Sequence, residues 1–140
     1  MPQPATPFEA IGGQESVAAI VGRFYDLMDT DPAYRDLRAL HAADLSAVRN
    51  GLALFLNGWM GGPRDWFAQG KCVMSLHRPL AIPPQVADQW IDAMARAIAA
   101  QPGVDTALAG EMAERLGQMA RAMINQPAVG QAEVAGASAA

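Results

Sequence analysis

The chain has 140 residues, enough for one domain whose core could enclose a small cofactor, and too few for two domains. Apolar residues make up 51% of it, and the excess lies in Ala, Leu and Met rather than in β-branched residues, which favours helices. The formal net charge of −4 comes from scattered residues without a Lys/Arg run, so we expect no nucleic-acid partner.

The features that report on compartment favour the cytoplasm. A single cysteine, Cys72, excludes an intrachain disulfide and suits a reducing environment. The first residues lack the basic and apolar parts of a signal peptide, and no apolar run reaches the length of a membrane span. We therefore expect a cytoplasmic protein with no membrane contact.

The first helix start carries a capping-box pattern. Thr6 can cap, Pro7 stands where its missing N–H costs nothing, and Glu9 falls at the position that completes the box. Gly12-Gly13 then ends this helix after few residues.

A long helix follows, with Tyr25 at the edge of its apolar face. Its apolar positions recur at helical spacing: Val17, Ile20, Val21, Phe24, Leu27 and Met28. Asp31-Pro32 repeats the cap-then-proline signal and predicts a short helix to about Leu37, followed by a corner that contains His41.

Asp44 is expected to cap the next long helix, which ends at Gly61-Gly62-Pro63. One apolar stripe runs along it: Leu45, Val48, Leu52, Phe55, Leu56 and Trp59. From Pro63 to Ile82 neither a helical nor a strand period can be read, which predicts a long irregular loop carrying His77. Its large apolar residues are expected to seek burial: Trp66, Phe67, Val73, Met74 and Leu76.

Two more long helices complete the predicted domain at residues 1–127. Pro83-Pro84 opens the first, whose apolar side holds Trp90, and Asp105 opens the second. The tail at residues 128–140 is rich in small residues, so we expect it to be disordered. We therefore expect an all-α protein with four long helices, two short ones and one long loop. This arrangement leaves a gap between the helix pairs, which a bound group could fill.

Four side chains carry a polar group on or beside an apolar face: Tyr25, His41, His77 and Trp90. The phenol, the corner imidazole and the indole can donate hydrogen bonds, and His77 can offer a lone pair to a metal. One axial imidazole opposite a set of donors suits a haem that binds a small gas. Taken singly, each could instead be a solvated histidine, a tyrosine bonded to a backbone carbonyl, or a tryptophan that only packs its helix.

The chain resembles the group II truncated haemoglobins from about Thr6 to Gln126. The resemblance rests on several blocks in order: Thr6 to Gly13, Arg23 to Met28, Phe55-Leu56 with Gly58-Trp59, Gly61-Gly62-Pro63, His77 with Pro79, and Asp88 with Trp90 and Met94. It implies a two-over-two helical sandwich around a haem, in which a loop replaces most of the proximal helix.

The resemblance also implies roles for individual residues. His77 would be the proximal iron ligand of a haem b. Tyr25, His41 and Trp90 would form the distal pocket, lined further by Val48 and Leu52. The residues expected against the porphyrin are His77, Leu52, Phe55, Trp66, Leu76 and Ile82.

Two positions depart from the family pattern. His41 stands where many relatives have tyrosine, which makes the pocket titratable near neutral pH. Leu76 stands where many relatives carry a basic residue before the proximal histidine, so Arg64, Lys71 or Arg78 would have to pair with the haem propionates.

The leading functional interpretation is a haem protein that binds O₂, CO or NO reversibly, as a monomer or homodimer, with an unidentified reductase. Three distal donors worth about 1 kcal/mol each would raise ligand affinity on the order of a hundredfold and slow release. The first alternative is a peroxidase-like or NO-oxidising enzyme, with peroxide or NO as substrate and His41 as a possible acid-base group. The second is a globin-like interaction module without haem.

Overall fold

The computed structural model describes residues 6–127, and every regular element in that range is helical, which confirms the all-α prediction. The elements are α1 Pro7–Ala10, α2 Gly13–Thr30, a 3₁₀ turn Pro32–Tyr34, α3 Arg35–Ala39, α4 Ser46–Trp59, α5 Asp65–Ala68, α6 Val73–His77, α7 Pro84–Ala99 and α8 Thr106–Ala122. The tail expected at residues 128–140 lies outside the described residues, as do the first five residues.

Side-chain caps begin the helices largely where the sequence predicts them. Thr6 Oγ1 accepts a hydrogen bond from the Glu9 amide at 3.2 Å, and Asp31 Oδ1 accepts one from Ala33 at 3.0 Å. Asp105 likewise caps α8. Asp44 departs slightly, because it accepts from the Ser46 amide while Leu45 occupies the cap position of α4.

Four long helices form two packed pairs. Helix α2 packs on α4, α7 packs on α8, and a contact between α2 and α7 joins the pairs. The predicted apolar face of α2 is buried, with Phe24 and Tyr25 inside it. Burial of these apolar faces supplies the main stabilising free energy of the fold.

One polar stripe of α7 holds the segment that leads to His41. Gln89, Asp92 and Arg96 lie three and four residues apart, on one side of the helix. Buried Tyr34 donates to Asp92 Oδ2 at 2.5 Å and accepts from Arg96 at 2.8 Å, while Arg96 also pairs with Asp31 at 3.0 Å. The phenol therefore links the 3₁₀ turn to α7.

The prediction of an irregular stretch from Pro63 to Ile82 is wrong in part, because it contains α5 and α6. Each is four or five residues long, about one turn, and one turn cannot display a period of 3.6 residues. Trp66 is buried as expected. The expected burial is wrong for Met74 and Leu76, which are 38% and 53% exposed on α6.

Asn125, just beyond α8, fixes the chain that connects His77 with α7. Its side-chain amide donates to the Leu80 carbonyl at 2.8 Å, and its side-chain oxygen accepts from the Ile82 amide at 2.8 Å. Its backbone N–H donates to the Ile82 carbonyl at 2.9 Å. The carboxyl end of the fold thus anchors the predicted proximal segment. Within residues 6–127 we find no helix with the length and apolar character needed to cross a bilayer.

Candidate haem-binding site

His77 is the last residue of α6, and its ring is oriented by the backbone of the same helix. Nδ1 lies 2.7 Å from the carbonyl oxygen of Val73. A carbonyl oxygen can only accept, so Nδ1 carries the proton and Nε2 keeps a lone pair. This is the arrangement in which a histidine ligates a metal through Nε2.

His41 is oriented in the same way at the corner after α3. Its Nδ1 donates to the carbonyl oxygen of Leu37 at 2.9 Å, again four residues earlier. Burial lowers the pKa of His41 most, the hydrogen bond to the Leu37 carbonyl opposes this shift, and the positive charge of Arg38 lowers the pKa further. A neutral His41 therefore offers a lone pair at Nε2, and it can donate through Nε2 only when protonated.

Arg38 holds the corner that carries His41. Its guanidinium donates to the carbonyl oxygens of Ala42 and Ala43 at 3.0 and 3.1 Å. The same group pairs with Asp29 of α2 at 3.0 Å. Sequence reasoning missed this role, because an arginine that binds backbone carbonyls leaves no local pattern.

Tyr25 is buried on α2, close to the corner. Its ring meets the His41 ring edge-on at a centroid distance of 6.0 Å. The hydroxyl lies 3.5 Å from the Val48 carbonyl, at the limit of hydrogen-bond distance, so this contact is weak. Burial raises the pKa of Tyr25 against the opposing charge of Arg49, which keeps the phenol protonated and able to donate.

Trp90 is half-buried on α7 and reaches Tyr25 through a shared neighbour. Phe24 lies between the two, with its ring centroid 5.4 Å from Trp90 and 4.9 Å from Tyr25. Among residues 6–127, none accepts a hydrogen bond from the indole N–H. The structure thus groups the phenol, the corner imidazole and the indole on three elements: α2, the corner and α7.

The residues predicted to contact a porphyrin differ in their exposure to solvent: some are buried and others are partly or largely exposed. Phe55 and Trp66 are buried and pack edge-on with ring centroids 5.1 Å apart, and Ile82 is also buried. Val48 is 38% exposed and Leu76 53% exposed, whereas Leu52 is half-buried.

Large apolar side chains with high exposure occur in two places within residues 6–127. In the described part of the chain, the large hydrophobic residues with high exposure are Val48, Met74, Leu76 and Leu80. Val48 lies on α4, on the side predicted to line the distal pocket. The other three lie within three residues of His77 in the sequence. An apolar macrocycle near His77 would remove such surface from water.

The donor set fits a haem. No cluster of three or more His, Cys, Asp or Glu side chains within residues 6–127 is placed to hold a metal ion. A haem needs only one protein ligand, because the porphyrin supplies the other four nitrogens to the iron. One imidazole with a free Nε2, apolar surface beside it and polar donors on other helices match that requirement.

Three cations and a thiol lie in the segment from Arg64 to Arg78 that carries His77. The guanidinium of Arg64 lies over the Phe67 ring, 4.7 Å from its centroid, while Lys71 and Arg78 are exposed. Cys72 is exposed, and hydrogen bonds from Ser75 lower the pKa of its thiol, with a smaller contribution from Arg78.

Comparisons with known proteins show what the whole chain is similar to. The model of the bacterial-like globin family matches residues 6–125. A group II 2-on-2 haemoglobin from Agrobacterium tumefaciens is 32% identical with a TM-score of 0.84, over 89% of this chain and 98% of that one. A cold-adapted truncated haemoglobin from Pseudoalteromonas haloplanktis is 33% identical with a TM-score of 0.82, over 86% and 98%.

A third relative shares the same fold at slightly lower identity. The group II truncated haemoglobin from Bacillus anthracis is 29% identical with a TM-score of 0.80, over 89% of this chain and 99% of that one. These matches confirm the two-over-two helical fold, with α2 and α4 in one layer and α7 and α8 in the other. The chain belongs to the bacterial-like globin family, as a truncated haemoglobin of group II.

Proposed function

We propose that this chain binds haem b through His77 and holds a diatomic ligand such as O₂, CO or NO in a pocket formed by Tyr25, His41 and Trp90. Membership of the globins supports haem-based ligand binding in general. The observation that carries the proposal is the His77 ring, whose Nδ1 is bonded to Val73 and whose Nε2 is left with a lone pair. The haem supplies a ferrous iron at which a diatomic molecule binds reversibly.

Apolar residues of this chain would hold the macrocycle. Phe55 and Trp66 offer a rigid aromatic wall, and Ile82 offers a buried aliphatic one. Leu52, Val48 and Leu76 retain exposed surface that contact with a porphyrin would cover. Arg64, Lys71 and Arg78, in the segment that carries His77, are the cations we propose to pair with the haem propionates.

Tyr25 and Trp90 would act as the constant donors of the distal pocket. The phenol has only a weak bond to Val48, and the indole N–H has no acceptor within the described chain, so both can donate to a ligand without losing a strong bond. Two donors worth about 1 kcal/mol each would slow dissociation roughly thirty-fold. Slow release favours sensing or chemistry on the ligand over bulk O₂ delivery.

His41 supports a second candidate, reduction of peroxide with electrons from an unidentified reductase. Its neutral ring keeps a lone pair at Nε2, because Nδ1–H is bonded to Leu37. That nitrogen could take a proton from an incoming hydroperoxide and later return it to a leaving oxygen. Reversible ligand binding remains the leading proposal, since it needs no proton transfer.

The leading proposal is tested by the rate at which O₂ leaves the reduced protein, followed by stopped-flow replacement with CO. Tyr25→Phe and Trp90→Phe should each speed release about five-fold, the effect of losing about 1 kcal/mol. Trp59→Phe is the matched control, because this half-buried tryptophan lies on α4 outside the proposed pocket. Rates that stay at the native value in both pocket variants would contradict the proposal.

A further inference from the structure

Gln89 uses both ends of its side-chain amide to hold α3. Its oxygen accepts a hydrogen bond from the Leu37 amide at 2.9 Å. Its nitrogen donates to Asp36 Oδ2, also at 2.9 Å. Gln89 precedes Trp90 on α7, so one helix carries both the indole of the distal pocket and the group that binds α3.

Helix α3 needs such a partner. It has only five residues, Arg35–Ala39, and a helix this short is not stable by its own hydrogen bonds. The Leu37 amide belongs to its first turn, where backbone N–H groups have no partner inside the helix. Gln89 supplies the missing acceptor from a helix far along the chain.

The carbonyl group of Leu37 determines which tautomer His41 adopts. The carbonyl of buried Leu37 accepts from His41 Nδ1 at 2.9 Å, which selects the tautomer with the proton on Nδ1. Gln89, Leu37 and His41 therefore form one continuous chain of hydrogen bonds. Movement of α3 would displace the acceptor that holds the ring.

We propose that Gln89 is a positioning residue of the distal pocket: by binding the Leu37 amide it fixes the carbonyl that sets the tautomer and orientation of His41. The inference rests on the proposed distal role of His41. Its consequence is that neutral His41 faces a ligand as a hydrogen-bond acceptor, while Tyr25 and Trp90 act as donors.

The test is nitrogen-15 NMR of the His41 ring in the reduced protein under CO, at a pH where the ring is neutral. The native protein should show a single tautomer with the proton on Nδ1. Gln89→Leu should give a mixture of both tautomers, since the ring loses its fixed acceptor. The control Gln118→Leu makes the same change on an exposed face of α8 and should leave the single tautomer intact.

A rescue pair separates positioning from general loosening of the fold. Gln89→Glu combined with Asp36→Asn exchanges the acid and the amide and restores both hydrogen bonds, so the native tautomer should return. If Gln89→Leu does not fold, Gln89→Asn carries the same expectation, because its amide is one methylene too short to reach Leu37. A single Nδ1–H tautomer in whichever of these two variants folds would overturn the inference.

Failure of this inference is distinguishable from failure of the proposed function. If the native protein retains haem and Tyr25→Phe and Trp90→Phe speed O₂ release, the proposed function stands whatever Gln89 does. If His41 then keeps its tautomer without Gln89, only the positioning role is wrong.

Discussion

His77 donates a hydrogen bond from Nδ1 to the carbonyl oxygen of Val73 at 2.7 Å, within the same one-turn helix. A ring held in this way cannot rotate freely, so the lone pair on Nε2 has a fixed direction. His41 repeats the arrangement with Leu37. Both histidines of the chain are thus oriented by backbone that lies four residues earlier.

The first prediction concerns Asn125, which ties the segment after His77 to the end of α8. Asn125→Ala removes two side-chain hydrogen bonds, to Leu80 and Ile82. We expect a loss of about 1–2 kcal/mol in the free energy of unfolding and faster transfer of hemin to a scavenging protein. Urea denaturation and the hemin transfer rate measure the two effects.

Asn50→Ala is the matched control, because Asn50 is exposed on α4 and its side chain makes no hydrogen bond within residues 6–127. It should leave both quantities near their native values. Equal behaviour of the two variants would mean that Asn125 does not secure the proximal segment.

The second prediction is a pH dependence of ligand release that requires His41. Burial is the main cause of the lowered pKa of His41; the hydrogen bond to Leu37 opposes it and the charge of Arg38 adds to it, so the ring is neutral at pH 7. As the pH falls below this lowered pKa, the ring gains a second N–H and can donate to the ligand. O₂ dissociation should therefore slow by about five-fold in acid, the effect of one added hydrogen bond.

The same shift of the His41 pKa lowers the stability of the folded protein in that range. The unfolded chain takes up a proton near pH 6.5 while the folded chain resists it, so the free energy of unfolding should fall as the pH drops from about 6.5 toward the lowered pKa. His41→Phe should remove the acid slowing of O₂ release. Identical pH profiles for His41→Phe and the native protein would exclude His41 as the titrating group.

The third prediction compares two glycines of α4. A Cβ at Gly58 would lie 2.6 Å from the Phe67 ring, whereas one at Gly51 would meet nothing within 4 Å. Gly58→Ala should destabilise the protein by about 1–3 kcal/mol, because Phe67 packs against both Phe55 and Trp66 and cannot move freely. Gly51→Ala should stabilise it by up to about 1 kcal/mol through helix propensity. Urea midpoints that shift in the same direction would contradict this comparison.

The long helices could be predicted because their signals are local. The stripe from Val17 to Met28 spans several turns, and caps such as Thr6 and Asp31 act within three residues. The short helices α5 and α6 could not, since one turn shows no period. The two-over-two arrangement came from the resemblance, not from the periodicity.

The candidate site was predictable only in part. The polar groups Tyr25, His41, His77 and Trp90 were found because each stands beside an apolar face. Residues that hold them were missed: Gln89, Asn125 and Arg38. Gln89 and Asn125 bind backbone groups that are more than forty residues away in the sequence. Arg38 binds carbonyl groups of its own corner. Neither a long-range side-chain bond nor a bond to a loop carbonyl leaves a sequence motif. The roles assigned to the porphyrin contacts stay predictions.

The measurement that tests the central claim most directly is hemin binding by His77→Gly, with and without added imidazole. Hemin added to the native protein should give a sharp Soret band with one haem per chain. The variant should lose tight binding, and free imidazole, which can replace the missing ring at the iron, should restore the band, while His41→Gly should still bind hemin. Unchanged hemin affinity and an unaltered spectrum in His77→Gly would contradict the assignment of His77 as the iron ligand.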